Sequence, residues 1–196
     1  MQVLVTEEAV LDLEDMNDEE FFDFCARNSE LRIERDSGGR VTIMSGTGGR
    51  TGNRNIELST QIQLWARRDG RGVAFDSSTL FRLPNGAMRS PDASWVTRRR
   101  LAGLTETQKE RYQPLCPEFV VELTSPSDRL TDVKQKMIEW IENGCGLGWI
   151  LDTRNRRAHV YRSSGVEILD KPSQLSGEGP IAGFTLDLAG IWDPGW

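Results

Sequence analysis

Two carboxylates stand out by where they fall. In RSPDASWV, residues 89–96, Asp92 follows a proline and opens an apolar run; residues 92, 94 and 96 would face one side of a strand, 93 and 95 the other. In PEFVVELTSPS, Glu122 ends the most apolar run of the chain, short and β-branched as in a strand buried on both faces. Desolvating a lone carboxylate is costly, so each needs a cationic partner or a metal. If the two strands are neighbours, both carboxylates reach one edge of a sheet. Oxygen-only ligands suit Mg2+ or Mn2+, which keep several waters and also bind phosphate oxygens. A single histidine, His159, and three widely separated cysteines, Cys25, Cys116 and Cys145, disfavour a zinc site and a disulfide framework. No GxSxG elbow accompanies His159, which disfavours a Ser-His-Asp triad. The cysteines are expected as buried or half-buried free thiols, and His159 on a strand face, solvated or hydrogen-bonded.

A base is supplied by the segment after Glu122. SPSDRLTDVKQKMIEWIENG reads as a loop and a helix over about 130–143, with Gly144 near its C-terminus. On an ideal wheel Val133, Met137, Trp140 and Ile141 form the apolar arc; Lys134 falls inside it and Lys136 at its edge. A lysine at that edge can extend its amine over the end of a sheet and offset charge on a phosphate. The residues alone equally allow Asp92, Glu122 and Lys136 to form a structural ion-pair cluster.

The elements that must position these groups are legible in outline. Asn17 followed by Glu20 resembles a capping box for a helix of about 18–28. LRIERDSGGRVTIM reads as a hairpin turning at DSGG, with Glu34 on the entering strand. SGTGGRTG is a glycine-rich loop without the GKS or GKT of a P-loop. A helix of about 53–68 follows, with Ile56, Ile62, Leu64 and Trp65 as its apolar positions, then strands in GVAFDSSTLFRL, a turn at PNGAMRS and the Asp92 strand. LGWILD, RRAHVYRSS and GVEIL supply further strands. Helix, strands, helix, strands is the order of an α/β sandwich with a mixed sheet, and the 196 residues read as one domain spanning 1–196.

Composition bounds the partners. No apolar run approaches membrane-spanning length, and the acidic opening lacks the basic segment of a secretion signal, so a cytoplasmic location without membrane attachment is the expectation. The net charge is −6, yet residues 41–100 hold 10 bases against 4 acids. A positive face beside an acidic pocket is therefore compatible with the overall sign, as is a surface with arginines scattered over it.

SPDASWV and PEFVVELTSPSDRLTDVKQKMIEWIENGCGLGWILD together resemble the two signature blocks of the Uma-two family of PD-(D/E)XK nuclease-like proteins, the second without a gap from Pro117 to Asp152. The likeness runs more loosely through Glu34 and SGTGGRTGNRN and on to IAGFTLDLAGIW, so it covers nearly the whole chain. It implies a restriction-endonuclease-like α/β core, a mixed central β-sheet flanked by helices. It makes Asp92 the aspartate of the PD motif and Glu122 the acidic residue of the second half-motif. The usual lysine would stand two residues after Glu122, where this chain has Thr124; the resemblance places it on the following helix, at Lys136, four residues after Asp132. Glu34 matches an N-terminal acidic position. After the glycine-rich loop, where the family often carries histidine or another polar residue, this chain has Arg54 and Asn55.

The function expected from this is that of an Mg2+- or Mn2+-dependent endonuclease hydrolysing phosphodiester bonds. Asp92, Glu122 and the Leu123 carbonyl would hold the metal, with Glu34 at a second metal or a water and Lys136 offsetting developing charge. Arg54, Arg67, Arg68 and Arg71, with Arg98, Arg99 and Arg100, would follow the backbone of a nucleic acid, DNA being the expected partner. Two rival readings keep the fold without cleavage: a nucleic-acid-binding module, or an interaction protein, a homodimer joined through an exposed sheet edge.

Overall fold

The computed structural model describes residues 9–12, 16–44 and 46–196; Ser45, the first residue of the glycine-rich stretch, lies outside the described residues. Strand β1 (Ala9–Asp12) precedes helix α1 (Asp18–Arg27). The Asn17 side chain accepts the N–H groups of Glu19 and Glu20 while Glu20 accepts that of Asn17, so the reciprocal cap read from the sequence is present. Strands β2 (Arg32–Arg35) and β3 (Arg40–Met44) form the expected hairpin, with Gly39 at a φ of 90° in its turn.

Helix α2 (Gly49–Asp69) starts earlier than the expected residue 53 and absorbs half of the glycine-rich stretch. Gly48 caps it without a side chain. Glycine costs a helix interior roughly 1 kcal/mol against alanine; here burial of Thr51 and the Arg54 hydrogen bond to the Ile191 carbonyl hold the first turns against the C-terminal segment. The apolar face also differs from expectation. Leu58, Ile62, Trp65 and Ala66 are buried, whereas Ile56 and Leu64 are 65% and 53% exposed.

Beyond α2 come β4 (Gly72–Asp76), β5 (Phe81–Arg82), β6 (Met88–Arg89) and β7 (Ala93–Thr97), the short helices α3 (Arg98–Leu101) and α4 (Glu106–Glu110), and β8 (Phe119–Leu123). Helix α5 (Leu130–Glu142) links β8 to β9 (Leu147–Asp152). The chain continues through β10 (Arg157–Arg162), β11 (Gly165–Asp170), β12 (Gln174–Ser176) and β13 (Thr185–Asp187) to α6 (Ala189–Trp192). The central sheet is mixed, in the order β11-β10-β9-β8-β7-β4, and β8 with β9 is its parallel pair. A second sheet, β1-β3-β2-β6-β5, is antiparallel throughout, and β12 pairs with β13.

Helices cover both faces of the central sheet. On one face Leu58, Ile62 and Trp65 of α2 pack with Trp95, Phe119, Val121 and Trp149, and with Phe184 and Ile191 of the C-terminal segment. On the other, Met137 and Trp140 of α5 pack with Val96, Val120 and Ile150. Gly148 sets how closely α5 approaches: a Cβ there would lie 2.2 Å from Met137 Sδ. No described helix is long and apolar enough to cross a membrane.

The three cysteines are free, with Cys116 and Cys145 buried and Cys25 half-buried, as expected. His159 differs. It is 3% exposed on β10, and neither ring nitrogen has a hydrogen-bond partner. Burial first, and then the charge of nearby Lys134, hold its pKa below the usual imidazole value. The folded protein thus favours neutral His159. The stability this contributes is complete above the unfolded pKa near 6.5 and is lost as pH falls below it. Denaturant unfolding at pH 8 and pH 5 should show a smaller acid loss in His159→Leu than in the wild type. Equal losses would mean that His159 takes up its proton without cost.

Candidate active site

The segment Ser90–Pro91 carries the chain from β6 in the second sheet to β7 in the central one. This accounts for the proline before Asp92, which has no N–H to leave unpaired at the crossing. Asp92 stands immediately before β7 rather than within it. The β7–β8 register, Ala93 opposite Val121, sets Asp92 across from Glu122 when extended by one step. From the second sheet β2 brings Glu34, and from α5 comes Lys136. The three carboxylates are buried: Glu34 is 3%, Asp92 7% and Glu122 5% exposed.

The Lys136 amine joins these elements. Nζ donates to Glu34 Oε1 at 2.7 Å and to the Ser90 carbonyl at 2.9 Å, and lies 3.0 Å from Glu122 Oε1. Glu34 Oε1 also accepts the Ser90 N–H at 3.0 Å, and its Oε2 meets Arg89 at 3.3 Å. Trp140 Nε1 donates to Glu122 Oε1 at 2.9 Å. Asp92 Oδ2 accepts the Leu123 N–H at 2.7 Å, and Oδ1 pairs with Arg32 at 2.9 Å. Arg89 reaches on to Glu139 at 2.7 Å. Lys134, the competing lysine, makes no ion pair with these carboxylates among the described residues and lies near His159.

The charges are unevenly balanced. Burial would raise the Glu34 pKa, but Lys136, Arg89 and Arg32 hold it below the usual carboxylate range. Glu122 goes the other way. Burial, with repulsion from Asp92 and Glu34, outweighs Lys136 and Arg32 and pushes it up to about 7. Burial opposes the charge on Lys136, yet Glu122 and Glu34 keep its pKa above the ordinary lysine value. Thr124, two residues after Glu122, ties β8 to β9: its hydroxyl donates to the Leu151 carbonyl and accepts the Thr153 N–H.

Arg32, Arg89 and Ser90 join the cluster beyond the residues expected from the sequence. A signal existed for each. Leu31 and Ile33 alternate toward one side of β2, which leaves Arg32 on the same side as Glu34. Arg89 and Ser90 directly precede Pro91–Asp92.

The arginines divide between the two ends of the central sheet. The N-terminus of α2 lies at the end that carries Asp92 and Glu122. There burial, Arg50 and Arg156 together lower the Arg54 pKa, and Arg156 sits in the β9–β10 turn. Arg67, Arg68 and Arg71 lie at the other end. Gly72 pairs with Thr97, and the Arg98 N–H donates to the Arg71 carbonyl. That is roughly 20 Å along β7 from Asp92 at about 3.3 Å per residue. The structure therefore brings Glu34, Asp92, Glu122 and Lys136 together, leaves Arg54 on the other face of the sheet with the Ile191 carbonyl, and sets Arg67, Arg68 and Arg71 at the far end.

Removing the amine would leave Glu34 and Glu122 buried without their shared counter-charge. Lys136→Ala should cost about 3–5 kcal/mol in urea unfolding, and Lys134→Ala within about 0.5 kcal/mol. The reverse order would mean that the wrong lysine holds the cluster.

Comparison with known proteins bears on the fold and the family. No match was found among curated proteins. Among solved structures, one that matches is described as a "putative nuclease belonging to DUF820" from Anabaena variabilis ATCC 29413. It shares 19% identity and a TM-score of 0.69 over 82% of this chain and 89% of that one. At that identity the likeness shows a common fold, the restriction-endonuclease-like α/β core with its mixed, helix-flanked sheet. The family model Uma2, described as "Putative restriction endonuclease", matches residues 18–189, and the chain belongs to that family.

Proposed function

We propose that the chain is a divalent-metal-dependent nuclease cleaving phosphodiester bonds, with DNA as its substrate class. The observation that carries this reading is the buried convergence of Asp92 and Glu122 from neighbouring strands beside an amine, Lys136, held by Glu34. The donor set fits a hard cation. It is made of oxygens, and burial first, with Asp92 and Glu34 adding to it, raises the Glu122 pKa, a cost that a bound cation would relieve. Among the described residues no three His, Cys, Asp or Glu side chains form a ready cage.

Asp92, Glu122 and the Leu123 carbonyl would hold the ion, which would supply Lewis-acid polarisation and a water acidic enough to attack phosphorus. The protein's own groups do the rest. The Leu123 N–H fixes Asp92, and the Trp140 indole fixes Glu122. Lys136 holds a positive charge where the phosphate oxygens gain negative charge, and Glu34 keeps that amine oriented and protonated. Arg50, Arg54 and Arg156, which act on one another beside Asp193, belong to the end of the sheet where β8 and β9 finish, so they rather than Arg67, Arg68 and Arg71 would follow the nearest phosphates. A binding module without cleavage is the second reading; the specific observation in its favour is that Arg32, Arg89 and Lys136 already pair with the three carboxylates.

The test is cleavage of single-stranded and duplex DNA and RNA by purified protein with Mg2+ or Mn2+. Asp92→Ala should abolish cleavage, and Lys136→Gln should slow it by about 10²–10³-fold. Binding without cleavage on every substrate would select the second reading. In anisotropy titrations against salt, Arg50→Ala with Arg54→Ala should reduce the logarithmic salt slope by about one unit for each phosphate that is no longer neutralised. Triple replacement of Arg67, Arg68 and Arg71 by Ala should change it less. A larger effect of the triple variant would move the binding surface to the other sheet end.

A further inference from the structure

We infer that Arg32 is a displaceable counter-ion: it holds Asp92 while no metal is bound and, when a divalent cation takes Asp92, is released to a phosphate oxygen of the nucleic acid. The inference rests on the nuclease reading and assigns a role to a residue outside the set of Asp92, Glu122, Lys136 and Glu34.

Asp92 has two oxygens, and they differ in availability. Oδ2 is committed to the Leu123 N–H inside the sheet end at 2.7 Å. Oδ1 is the oxygen left for a cation, and Arg32 Nη1 sits on it at 2.9 Å. Glu122 accepts from Trp140 and meets Lys136 through Oε1, so among the described residues its Oε2 accepts no hydrogen bond. One free oxygen on Glu122 and one on Asp92 covered by a guanidinium make a site at which a metal would lie against the charge of Arg32.

Of the three cations in the cluster, Arg32 is the one built to leave. Lys136 has an acceptor for each of its three protons, and Arg89 spans Glu34 and Glu139. Arg32 pairs with one carboxylate and the Ser90 carbonyl, 2.7 Å away, while its Nε is buried with no acceptor. Its side chain is 27% exposed, against 16% for Arg89 and 17% for Lys136, so it lies nearest the solvent from which a substrate arrives. An incoming 2+ ion repels it from a buried position. A guanidinium set free at that edge has the planar fork that phosphate accepts in two parallel hydrogen bonds. Metal and phosphate binding are then coupled, each favouring the conformation that suits the other.

The experiment measures Mn2+ binding by calorimetry without nucleic acid, in the wild type, Arg32→Gln, Arg32→Lys and Asp92→Asn. It is joined by anisotropy of a labelled DNA duplex with and without Ca2+. Arg32→Gln should bind Mn2+ about 10–100-fold more tightly, the factor carried by one charge-assisted hydrogen bond that no longer has to be broken. Ca2+ should strengthen duplex binding in the wild type and much less in Arg32→Gln. Arg32→Lys keeps the charge without the fork; it should fall between the two in Mn2+ affinity and serves if the glutamine variant does not fold. Unchanged or weaker Mn2+ binding in both Arg32 variants, with Asp92→Asn abolishing the wild-type signal, would overturn the inference and leave the nuclease reading standing. No Mn2+ signal in the wild type or either Arg32 variant would overturn both.

Discussion

Burying Glu34, Asp92 and Glu122 in one place strips three carboxylates of water, and the Lys136 amine is the group around which that cost is offset. Its three acceptors come from different parts of the fold: Glu34 from the second sheet, Glu122 from the central sheet, and the Ser90 carbonyl from the segment between them. Each contact is short and each partner is buried or half-buried, which is the condition under which a buried ion pair is sustained rather than merely tolerated. The packing must therefore hold two sheets and a helix in register to within a hydrogen bond. A helix shifted by one residue would turn Lys136 about 100° away from the carboxylates and leave them unpaired.

Other features follow from this demand. Gly148 lets α5 lie close on β9, with Met137 filling the space where a side chain would be. Trp140, one turn beyond Lys136 on the same helix, packs its ring into the core and turns its N–H to Glu122, so one helix supplies both the charge and the neutral donor. The Ser90–Pro91 crossing carries backbone groups that serve both Glu34 and the cations. Family membership and the shared fold place the chain among proteins described as "Putative restriction endonuclease", while a fold by itself assigns no activity. What distinguishes a catalytic cluster from a purely structural one is incomplete satisfaction. Burial first pushes the Glu122 pKa up to about 7, and Arg32 keeps a buried N–H without an acceptor, which makes these two the least satisfied groups of the cluster.

The acidic net charge is no obstacle to an anionic partner. Charge acts locally when screening falls off over about 8 Å at physiological ionic strength. Arg50, Arg54 and Arg156 share the sheet end with Asp92, whereas the run from Arg67 to Arg71 and the Arg98–Arg100 helix share the opposite end. A strand of five residues is enough to separate the two groups beyond that length.

The sequence by itself determined the carboxylates, the buried strands, the capped first helix, the β2–β3 hairpin and the span of α5. All of these rest on local signals: a proline before an aspartate, an apolar β-branched run, an Asn–Glu pair three apart, and a 3.6-residue period. The wheel ranked Lys134 as the more inward of the two lysines and only the family resemblance pointed to Lys136, whose amine the placement of α5 across the sheet end brings to Glu34 and Glu122. Only the tertiary structure decided that Asp92 faces Glu122, that Arg32 and Arg89 belong to the cluster and that Arg67, Arg68 and Arg71 do not share its end of the sheet. It also decided that α2 begins at Gly49, because packing against the C-terminal segment overrides a weak local propensity, and that His159 is buried without a partner. The physical reason is common to all of these. Pairing register, sheet crossing and helix placement are set by contacts between residues tens of positions apart, and no short-range pattern encodes which charge will meet which.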